Sequence, residues 1–394
     1  MVRRGREFLH TPGPTNIPDR VLNAMHRPAM DFASPAFAEL ALKLFEDLKP
    51  LFGTSSQVFL YTSSGHGGWE GAFVNCFSPG DTVLLPEVGR FGRVWGDMAE
   101  RLGLNVVRVP GSWRHPIDPA VIEDALSKDK GHRIKGVLAV HVETAPGAVS
   151  DLAGIRRAID AANHPALLIC DAIASFGCMP LPMEEWGIDV VIAASQKALM
   201  LPPGLGFCAV SEKALAASLE SRSQMEYFSW PQRMKTESYS RFCGTAPEHL
   251  VFGLIESMKM IAEEGWEQVY ARHRRLAGAV HRAVDVWSEA GAIEFNILPP
   301  DARAVSLTVV RTPEGMNSDI VRTTARESFS VAVGGSLGDL VGRVFRIGHM
   351  GDLNEPMIIG ALGGIEAALQ VCQVPIGKGG VSAAVDYLAA SVPG

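Results

Sequence analysis

A lysine directly follows a short apolar segment in the middle of the chain. Residues 189–194 are an aspartate and five apolar residues, a length and branching typical of a buried strand, and Lys197 comes three positions later. Lysine is rarely buried without a function. Because an amine at a strand end among apolar side chains can form an imine with a carbonyl compound, we interpret Lys197 as a candidate nucleophile.

A carboxylate ends the preceding apolar segment. Residues 166–170 are apolar, and Asp171 follows them. Alone, Asp171 would be interpreted as a turn former and Lys197 as a surface lysine. Together they are the pair that pyridoxal phosphate requires, because the lysine carries the cofactor as a Schiff base and the aspartate keeps its pyridine nitrogen protonated. The pair therefore predicts a cofactor site.

A glycine-rich segment at residues 61–68 lies between a predicted strand and a predicted helix. Glycines let the backbone approach a ligand, and free N–H groups at a helix start attract phosphate. Ser64 would add a hydroxyl donor, and His66 could stack near the cofactor or cap the loop. An ordinary glycine-rich turn explains the segment equally well. It is neither a dinucleotide-binding nor a P-loop pattern, which argues against nucleotide cofactors.

Three further residues have two interpretations each. Phe91 follows the predicted strand at 82–86 and could lie flat on a cofactor ring or pack in the core. Ile173 would point to the same face as Asp171 in an extended chain and could pack on the ring's other side. Arg346 lies inside an apolar strand and needs a partner, either a substrate carboxylate or a structural ion pair.

Short apolar strands alternate with helices from about residue 55 to 210, which predicts a largely parallel α/β sheet. The predicted strands are 58–61, 82–86, 105–109, 136–141, 166–171, 190–194 and 207–210. The predicted helices are 68–77, 95–102, 119–127 and 152–163, with an interrupted helix over 247–290. Ligands bind at the carboxyl ends of strands in such sheets, which agrees with the positions of Thr144, Asp171 and Lys197.

The rest of the chain reads as a smaller α+β unit, with strands near 304–311 and 343–347 and a helix over 354–371. No clear linker separates the two parts. We predict an N-terminal arm (1–20), a large cofactor-binding domain (21–270) and a small C-terminal domain (271–394).

The composition narrows the class of protein. A net charge of −7 and a pI near 5.9 argue against nucleic acid or an acidic membrane as partner. The six cysteines show neither a CxxC pair nor zinc spacing, so we expect no metal site and a reducing compartment. No apolar run approaches a membrane span, and no apolar segment follows the basic start. The expectation is a soluble cytoplasmic protein.

These residues together resemble the fold-type I, class V aminotransferases, most closely the serine–glyoxylate and alanine–glyoxylate group. The resemblance runs from residues 11–18 to residues 345–354, and the motifs at 171–175 and 195–197 are its most specific parts. It implies a fold-type I pyridoxal-phosphate-dependent transferase, α/β, with a mostly parallel seven-stranded sheet in the large domain. It also implies a homodimer with shared active sites.

The resemblance implies a role for each matched position. Lys197 would be the Schiff-base lysine and the acid/base, and Asp171 would pair with the pyridinium nitrogen. The other cofactor-binding residues would be Ser64, Gly65, His66 and Gln196 at the phosphate, Phe91 and Ile173 on the ring, Thr144 at the ring hydroxyl, and Thr245 at the partner subunit's phosphate. Arg346 would clamp the substrate carboxylate, with backbone near Gly13 closing the pocket.

Three departures leave the amino donor open. Phe242, Cys243 and Gly244 stand where relatives carry a tyrosine-bearing segment, and residues 227–233 match poorly. Residues 64–66 are more similar to the alanine–glyoxylate pattern, while the C-terminal half is more similar to the bacterial serine–glyoxylate type. We expect a ping-pong transfer from a small amino acid, serine or alanine, to glyoxylate or another small 2-oxo acid. The alternatives are an aspartate–glyoxylate or pyridoxamine–pyruvate aminotransferase, and a catalytically silent cofactor-binding protein.

Overall fold

The computed structural model describes residues 5–223, 225–235 and 237–392. The strands are β1 (Phe8–His10), β2 (Gln57–Ser63), β3 (Thr82–Glu87), β4 (Asn105–Pro110), β5 (Ile134–Val140), β6 (Val142–Glu143), β7 (Ala148–Val149), β8 (Leu167–Asp171), β9 (Val190–Ala194), β10 (Gly204–Val210), β11 (Glu294–Phe295), β12 (Leu307–Arg311), β13 (Val331–Val333) and β14 (Val344–Gly348). All seven strands that we predicted in the large domain are present.

The helices surround these strands. They are α1 (Asp19–Met25), α2 (Pro35–Leu51), α3 (Gly65–Cys76), α4 (Arg90–Arg101), α5 (Pro119–Lys128), α6 (Leu152–Ala161), α7 (Glu212–Glu220), α8 (Trp230–Arg233), α9 (Ser238–Phe242), α10 (Glu248–Glu264), α11 (Trp266–Ser288), α12 (Asp319–Phe329), α13 (Glu355–Val371) and α14 (Gly380–Ala390). No helix in the described part of the chain combines the length and hydropathy that a membrane span requires.

The central sheet has seven strands in the order β2-β10-β9-β8-β5-β3-β4. Only β10 runs antiparallel to its neighbours, and the other pairs are parallel. Strands β8 and β9 are buried along their whole length, as expected for parallel strands covered on both faces. Because β8 and β9 are parallel neighbours, their carboxyl ends lie at the same end of the sheet. Asp171 and the turn that carries Lys197 therefore lie close to each other there. The prediction of a large, mostly parallel sheet is confirmed.

Helix α3 begins at Gly65, three residues before our prediction. Glycines at 65, 67 and 68 are poor helix formers and concealed the first turn in the sequence. The helix packs so closely on the sheet that a β-carbon at Gly68 would lie 2.7 Å from Cγ2 of Ile192. The glycine run therefore serves close packing and brings the start of α3 to the sheet edge.

The apolar core has two main parts. One surrounds the large sheet and includes Val269, and the other lies among the C-terminal elements and begins at Leu276. Both residues belong to α11, so this helix contributes to both cores. The boundary that we predicted at 270/271 lies between them, and the division into domains stays a prediction.

The N-terminal segment bridges both parts. Strand β1 pairs in parallel with β13 of the C-terminal unit. A few residues later, the Thr15 amide donates to the Gln196 carbonyl at 3.2 Å, and the Thr15 hydroxyl donates to the Lys197 carbonyl at 2.9 Å. The arm is therefore fixed to the small sheet at one end and to the lysine turn at the other.

Residues 227–233 cover the outer edge of the central sheet. The Arg233 guanidinium is 1% exposed and donates to the carbonyl of Leu60 in β2 at 3.0 Å. The amide of Thr62 donates to the Tyr227 hydroxyl at 3.1 Å, and the indole of Trp230 donates to the Tyr61 hydroxyl at 2.7 Å. An uncovered edge strand invites pairing with other chains, so this poorly matching segment protects β2.

Candidate active site

Asp171 is the buried carboxylate at the centre of the site. It ends β8 and is 4% exposed. Its oxygens accept hydrogen bonds from the Ile173 amide at 2.8 Å and from the Trp69 indole at 3.1 Å. Burial raises the pKa of Asp171 to about 6, although these bonds and the charge of Lys197 lower it. A cation placed beside the carboxylate would therefore stabilise its ionised form.

Lys197 is the amine of the site. It lies in the turn after β9, and its Nζ donates to the carbonyl of Pro12. Burial and the positive charge of Arg346 lower the pKa of Lys197 to about 8, while Asp171 acts in the opposite direction. A substantial fraction of the amine is therefore neutral near physiological pH, and the neutral amine is the nucleophilic form.

Gly13 stands directly against this amine. It has a φ of +97°, and a β-carbon there would lie 2.6 Å from Nζ of Lys197. Both the backbone conformation and the available space therefore require glycine. Gly13 therefore lies against the lysine, and its part in closing a substrate pocket stays a prediction.

The start of α3 offers groups that could hold a phosphate. Ser64 is its N-cap residue, but the hydroxyl caps no helix amide and makes no hydrogen bond within the described residues. Gly65 opens the helix and is buried against Ile173, so that a β-carbon would overlap the isoleucine side chain. The first amides of a helix lack intrahelical partners and attract anions.

Gln196 and His66 complete this end of the site. The Oε1 atom of Gln196 is buried and has no hydrogen-bond partner in the described chain, which is costly unless a ligand supplies one. The His66 ring packs on Trp69 with centroids 4.3 Å apart. Burial and the charge of Arg90 lower the pKa of His66, so this histidine favours its neutral form.

Phe91 is placed beside the residues around Asp171. It lies in the first turn of α4, and its ring meets that of Trp69 edge-on at 6.4 Å. Ile173 bonds to Asp171 through its amide and contacts the start of α3. The two apolar side chains thus belong to the same neighbourhood, and their positions on a cofactor ring stay predictions.

Arg346 is 9% exposed and has no carboxylate within ion-pair distance in the described chain. Its Nε donates to the Gly335 carbonyl at 2.6 Å, and its Nη1 donates to the Thr144 carbonyl at 3.2 Å. Burial lowers the pKa of Arg346 to about 10, and the more distant charge of Glu143 opposes this. A buried guanidinium without a paired anion favours a ligand carboxylate over the structural ion pair that the sequence left open.

Thr144 and Thr245 differ in their placement. Thr144 is buried beside Arg346, and its hydroxyl makes no hydrogen bond within the described residues, so it is available to a ligand. Thr245 is exposed in the turn between α9 and α10. No contact within the described chain joins it to Lys197 or Asp171. The prediction that it reaches a partner subunit's site concerns a second copy of the chain.

The sequence reasoning missed four residues of this site. Trp69, which bonds to Asp171, looked like an ordinary apolar residue of a helix. The Pro12 carbonyl and the Thr15 hydroxyl meet the lysine turn only after the chain folds back on itself. Glu143 carried a signal that we did not use, because an ionisable residue between apolar segments needs an explanation.

The residues present fit pyridoxal phosphate. The buried, unpaired Oε1 of Gln196, the free hydroxyls of Ser64 and Thr144, and the start of α3 offer partners for a polar, anionic ligand. A buried lysine, Lys197, whose pKa is lowered to about 8, and a buried carboxylate at Asp171 are the two groups that this cofactor requires.

Comparison with known proteins agrees with this chemistry. The profile of the class-V aminotransferase family matches residues 7–347. The chain is 42% identical to a serine–glyoxylate aminotransferase of Methylorubrum extorquens, over 98% of this chain and 97% of that protein. It is 39% identical to an L-aspartate–glyoxylate aminotransferase of Paracoccus denitrificans, over 96% and 95% of the two chains.

A solved structure shares the whole fold. The crystal structure of pyridoxamine–pyruvate aminotransferase from Mesorhizobium loti superposes with a TM-score of 0.91 and 26% identity, over 100% of both chains. The chain therefore belongs to the class-V aminotransferases, which are pyridoxal-phosphate-dependent transaminases.

Proposed function

We propose that this protein transfers the amino group of a small amino acid, serine or alanine, to glyoxylate or another small 2-oxo acid. The observation that carries the proposal is Arg346, a buried guanidinium without a paired carboxylate in the described chain, whose charge acts directly on Lys197. Both substrates contain the carboxylate that this guanidinium lacks. The 42% identity to a serine–glyoxylate aminotransferase supports the choice of serine and glyoxylate.

Lys197 would carry the cofactor at rest and move a proton at the substrate α-carbon once its amine is free. Pyridoxal phosphate, when bound, supplies an electron sink for the bond broken at that carbon. The pKa of Lys197, about 8, lies near the working pH, where proton transfer in both directions is efficient. The Pro12 carbonyl accepts a hydrogen bond from the free amine and so orients it.

Arg346 would orient the substrate through its carboxylate. The Nε and Nη1 groups are held by the carbonyls of Gly335 and Thr144, which fix the plane of the guanidinium. Its Nη2 makes no hydrogen bond within the described residues and remains for a ligand. The backbone at Gly13 closes the space above Lys197, which favours small substrates.

Asp171 would hold the ring nitrogen, and Ser64, Gly65, His66 and Gln196 would hold the phosphate. Burial disfavours the ionised form of Asp171 and raises its pKa to about 6. A positive group beside the carboxylate would stabilise the ionised form. Phe91, Ile173 and Thr144 would contact the ring.

We also propose a homodimer in which Thr245 serves the partner subunit's site. Its exposure suits a contact between subunits, and no contact within the described chain joins it to the lysine turn. A cytoplasmic location is proposed from the six cysteines, four of which are buried as thiols.

The test is the absorption spectrum of the purified holoenzyme before and after addition of L-serine without an acceptor. The proposal expects the yellow band to bleach with serine and to return with glyoxylate. An unchanged band with serine and a bleached one with L-aspartate or pyridoxamine would favour the other two activities.

Arg346→Gln and Arg343→Gln form a matched pair for the same assay. Arg343 is exposed and lies directly before the same strand, so its loss should leave the serine concentration for half-bleaching unchanged. Arg346→Gln should raise that concentration at least tenfold, because the bond to the substrate carboxylate is lost. Equal behaviour of the two variants would refute the carboxylate role.

A further inference from the structure

Glu143 is a fully buried carboxylate that the proposed mechanism does not use. It ends β6, is 0% exposed and has no lysine or arginine within ion-pair distance in the described chain. Its Oε2 accepts hydrogen bonds from the amides of Phe91 at 2.8 Å and Gly92 at 3.0 Å. Its Oε1 accepts one from the amide of Ala145 at 3.2 Å. A fully buried carboxyl group whose only partners are backbone amides is costly, so its presence needs a reason.

The first reason lies in helix α4. Gly89, the N-cap residue, provides no side chain to cap this helix, and the Glu143 carboxylate takes that place from a distant strand. A negative charge at a helix N-terminus is stabilised by the helix dipole. A β-carbon at Gly89 would overlap the Glu143 side chain, while the φ of −179° at Gly89 is ordinary extended backbone. The glycine therefore makes room for Glu143, which fixes the turn that carries Phe91.

The second reason lies in the turn after β6. The bond from the Ala145 amide to Oε1 closes this turn around Thr144, and the Gly147 amide donates to the Glu143 carbonyl at 2.8 Å. The Thr144 carbonyl then accepts the hydrogen bond from Nη1 of Arg346. Glu143 thus fixes the carbonyl that holds the guanidinium in place.

Electrostatics link the same groups. The negative charge of Glu143 raises the pKa of Arg346, and Asp171 is close enough to raise the pKa of Glu143. Burial, with Asp171, raises the pKa of Glu143 to about 7, while its three amide partners oppose this. The carboxylate thus lies among the charged groups of the site and not in a separate structural region.

We propose that Glu143 is a positioning residue that couples the two halves of the site, holding Phe91 toward the cofactor and the Thr144 carbonyl toward Arg346. The predicted effect on substrate binding rests on the proposed function. The predicted effect on cofactor binding does not, because it is measured on the apo-protein and can be tested even if serine is not the donor.

The experiment compares Glu143→Gln with Glu184→Gln. Glu184 also accepts a backbone N–H, from Ser55, but has no contact with Phe91, Thr144 or Arg346 in the described chain. Equilibrium dialysis gives the Kd of the apo-protein for pyridoxal phosphate, and steady-state assays give KM and kcat for the amino donor. Glu143→Gln replaces one carboxylate oxygen by an NH2 group, which would face the backbone N–H groups that now donate to this oxygen. We therefore expect the Kd for pyridoxal phosphate and the KM for the amino donor each to rise about tenfold. Glu184→Gln should change neither.

Double variants separate positioning from a general loss of structure. In a Phe91→Ala background, Glu143→Gln should raise the Kd for pyridoxal phosphate by less than twofold, because the ring that it positions is already absent. In an Arg346→Gln background, it should likewise leave KM nearly unchanged. Full additivity in both backgrounds, or a Glu143→Gln protein with unaltered Kd and KM, would overturn the proposal.

If Glu143→Gln fails to fold, Glu143→Asp is measured in its place. It keeps the charge but is shorter by one methylene, so it cannot reach the α4 amides and the Ala145 amide together. We expect it to raise the Kd and the KM as well. Normal Kd and KM in Glu143→Asp would contradict the positioning role, since charge alone would then suffice.

Discussion

The α-carbon of Gly13 faces the amine of Lys197 at a distance that leaves no room for a side chain. A β-carbon at position 13 would lie 2.6 Å from Nζ and 2.7 Å from Cδ of the lysine. The neighbouring carbonyl, that of Pro12, accepts a hydrogen bond from the same amine. The N-terminal arm therefore packs directly against Lys197 and is not only a connection between the two sheets.

Gly13→Ala should impair cofactor uptake more than it impairs stability. Its φ of +97° makes any side chain unfavourable by roughly 1–2 kcal/mol, and the new methyl would also displace the lysine. Gly315→Ala is the matched control, because Gly315 has a φ of +81° and nothing within 4 Å of its β-position. We expect similar losses of stability in urea unfolding, with slower uptake of pyridoxal phosphate only in Gly13→Ala. Equal uptake rates would show that the arm does not constrain Lys197.

The apo-protein should take up pyridoxal phosphate faster as the pH rises through about 8, because only the neutral amine of Lys197 attacks the aldehyde. Asp171 raises the pKa of this amine and Arg346 lowers it. Asp171→Asn should therefore move the midpoint to lower pH, and Arg346→Gln should move it to higher pH. The measurement is the uptake rate from pH 6 to 10. Shifts of both variants in one direction would contradict the electrostatic account.

Arg233→Met should destabilise the fold strongly. The buried guanidinium donates to the carbonyls of Leu60, Tyr227 and Arg241 at 3.0, 2.7 and 2.8 Å, and methionine would leave these acceptors unpaired. We expect a loss of about 2–4 kcal/mol in the free energy of unfolding. Arg222→Met, at an exposed position nearby in the chain, should cost less than about 0.5 kcal/mol. A small effect at Arg233 would show that the edge of β2 does not depend on this segment.

Two buried histidines, His141 and His273, and the half-buried His281 should make the protein sensitive to mild acid. Burial lowers the pKa of His141, His273 and His281 from 6.5 to about 4. Between these pH values the three histidines are protonated in the unfolded chain and neutral in the folded chain. Their contribution to stability is complete above pH 6.5 and is lost as the pH falls toward 4. Asp171 and Glu143 act oppositely, because burial raises their pKa values.

His281→Phe isolates the histidine effect. The Nε2 atom of His281 is buried without a partner in the described chain, and its ring meets Phe295 edge-on at 5.5 Å, so phenylalanine fits the same surroundings. The variant should lose less unfolding free energy than the wild type between pH 6.5 and pH 4.5, by at most about 3 kcal/mol. If the unfolding free energies of the two proteins fell equally between pH 6.5 and pH 4.5, the lowered pKa of His281 would be contradicted.

The large domain could be predicted because its strands are short apolar runs bounded by turns. Asp171 and Lys197 could be placed at one sheet edge because consecutive parallel strands end on the same side. The antiparallel direction of β10 could not be predicted, since a buried strand has the same pattern in either direction. The glycines of α3 concealed its first turn, because their role is close packing on Ile192.

The contacts that tune the site were not accessible to sequence reasoning. The bonds from Trp69 to Asp171 and from Phe91 to Glu143 join residues 102 and 52 positions apart in the chain. Such pairs leave no periodic signal. The absence of an ion-pair partner for Arg346 within the described residues likewise became visible only when the surroundings of β14 were known.

The most direct test of the central claim is to locate the covalently held cofactor. The holoenzyme is reduced with borohydride, digested and analysed by mass spectrometry for the peptide that carries the pyridoxyl group. The account predicts modification of Lys197 alone, and loss of that modification in Lys197→Ala but not in Lys213→Ala, whose lysine lies in α7. Modification of another lysine in the wild type, or of none, would contradict the assignment of the site.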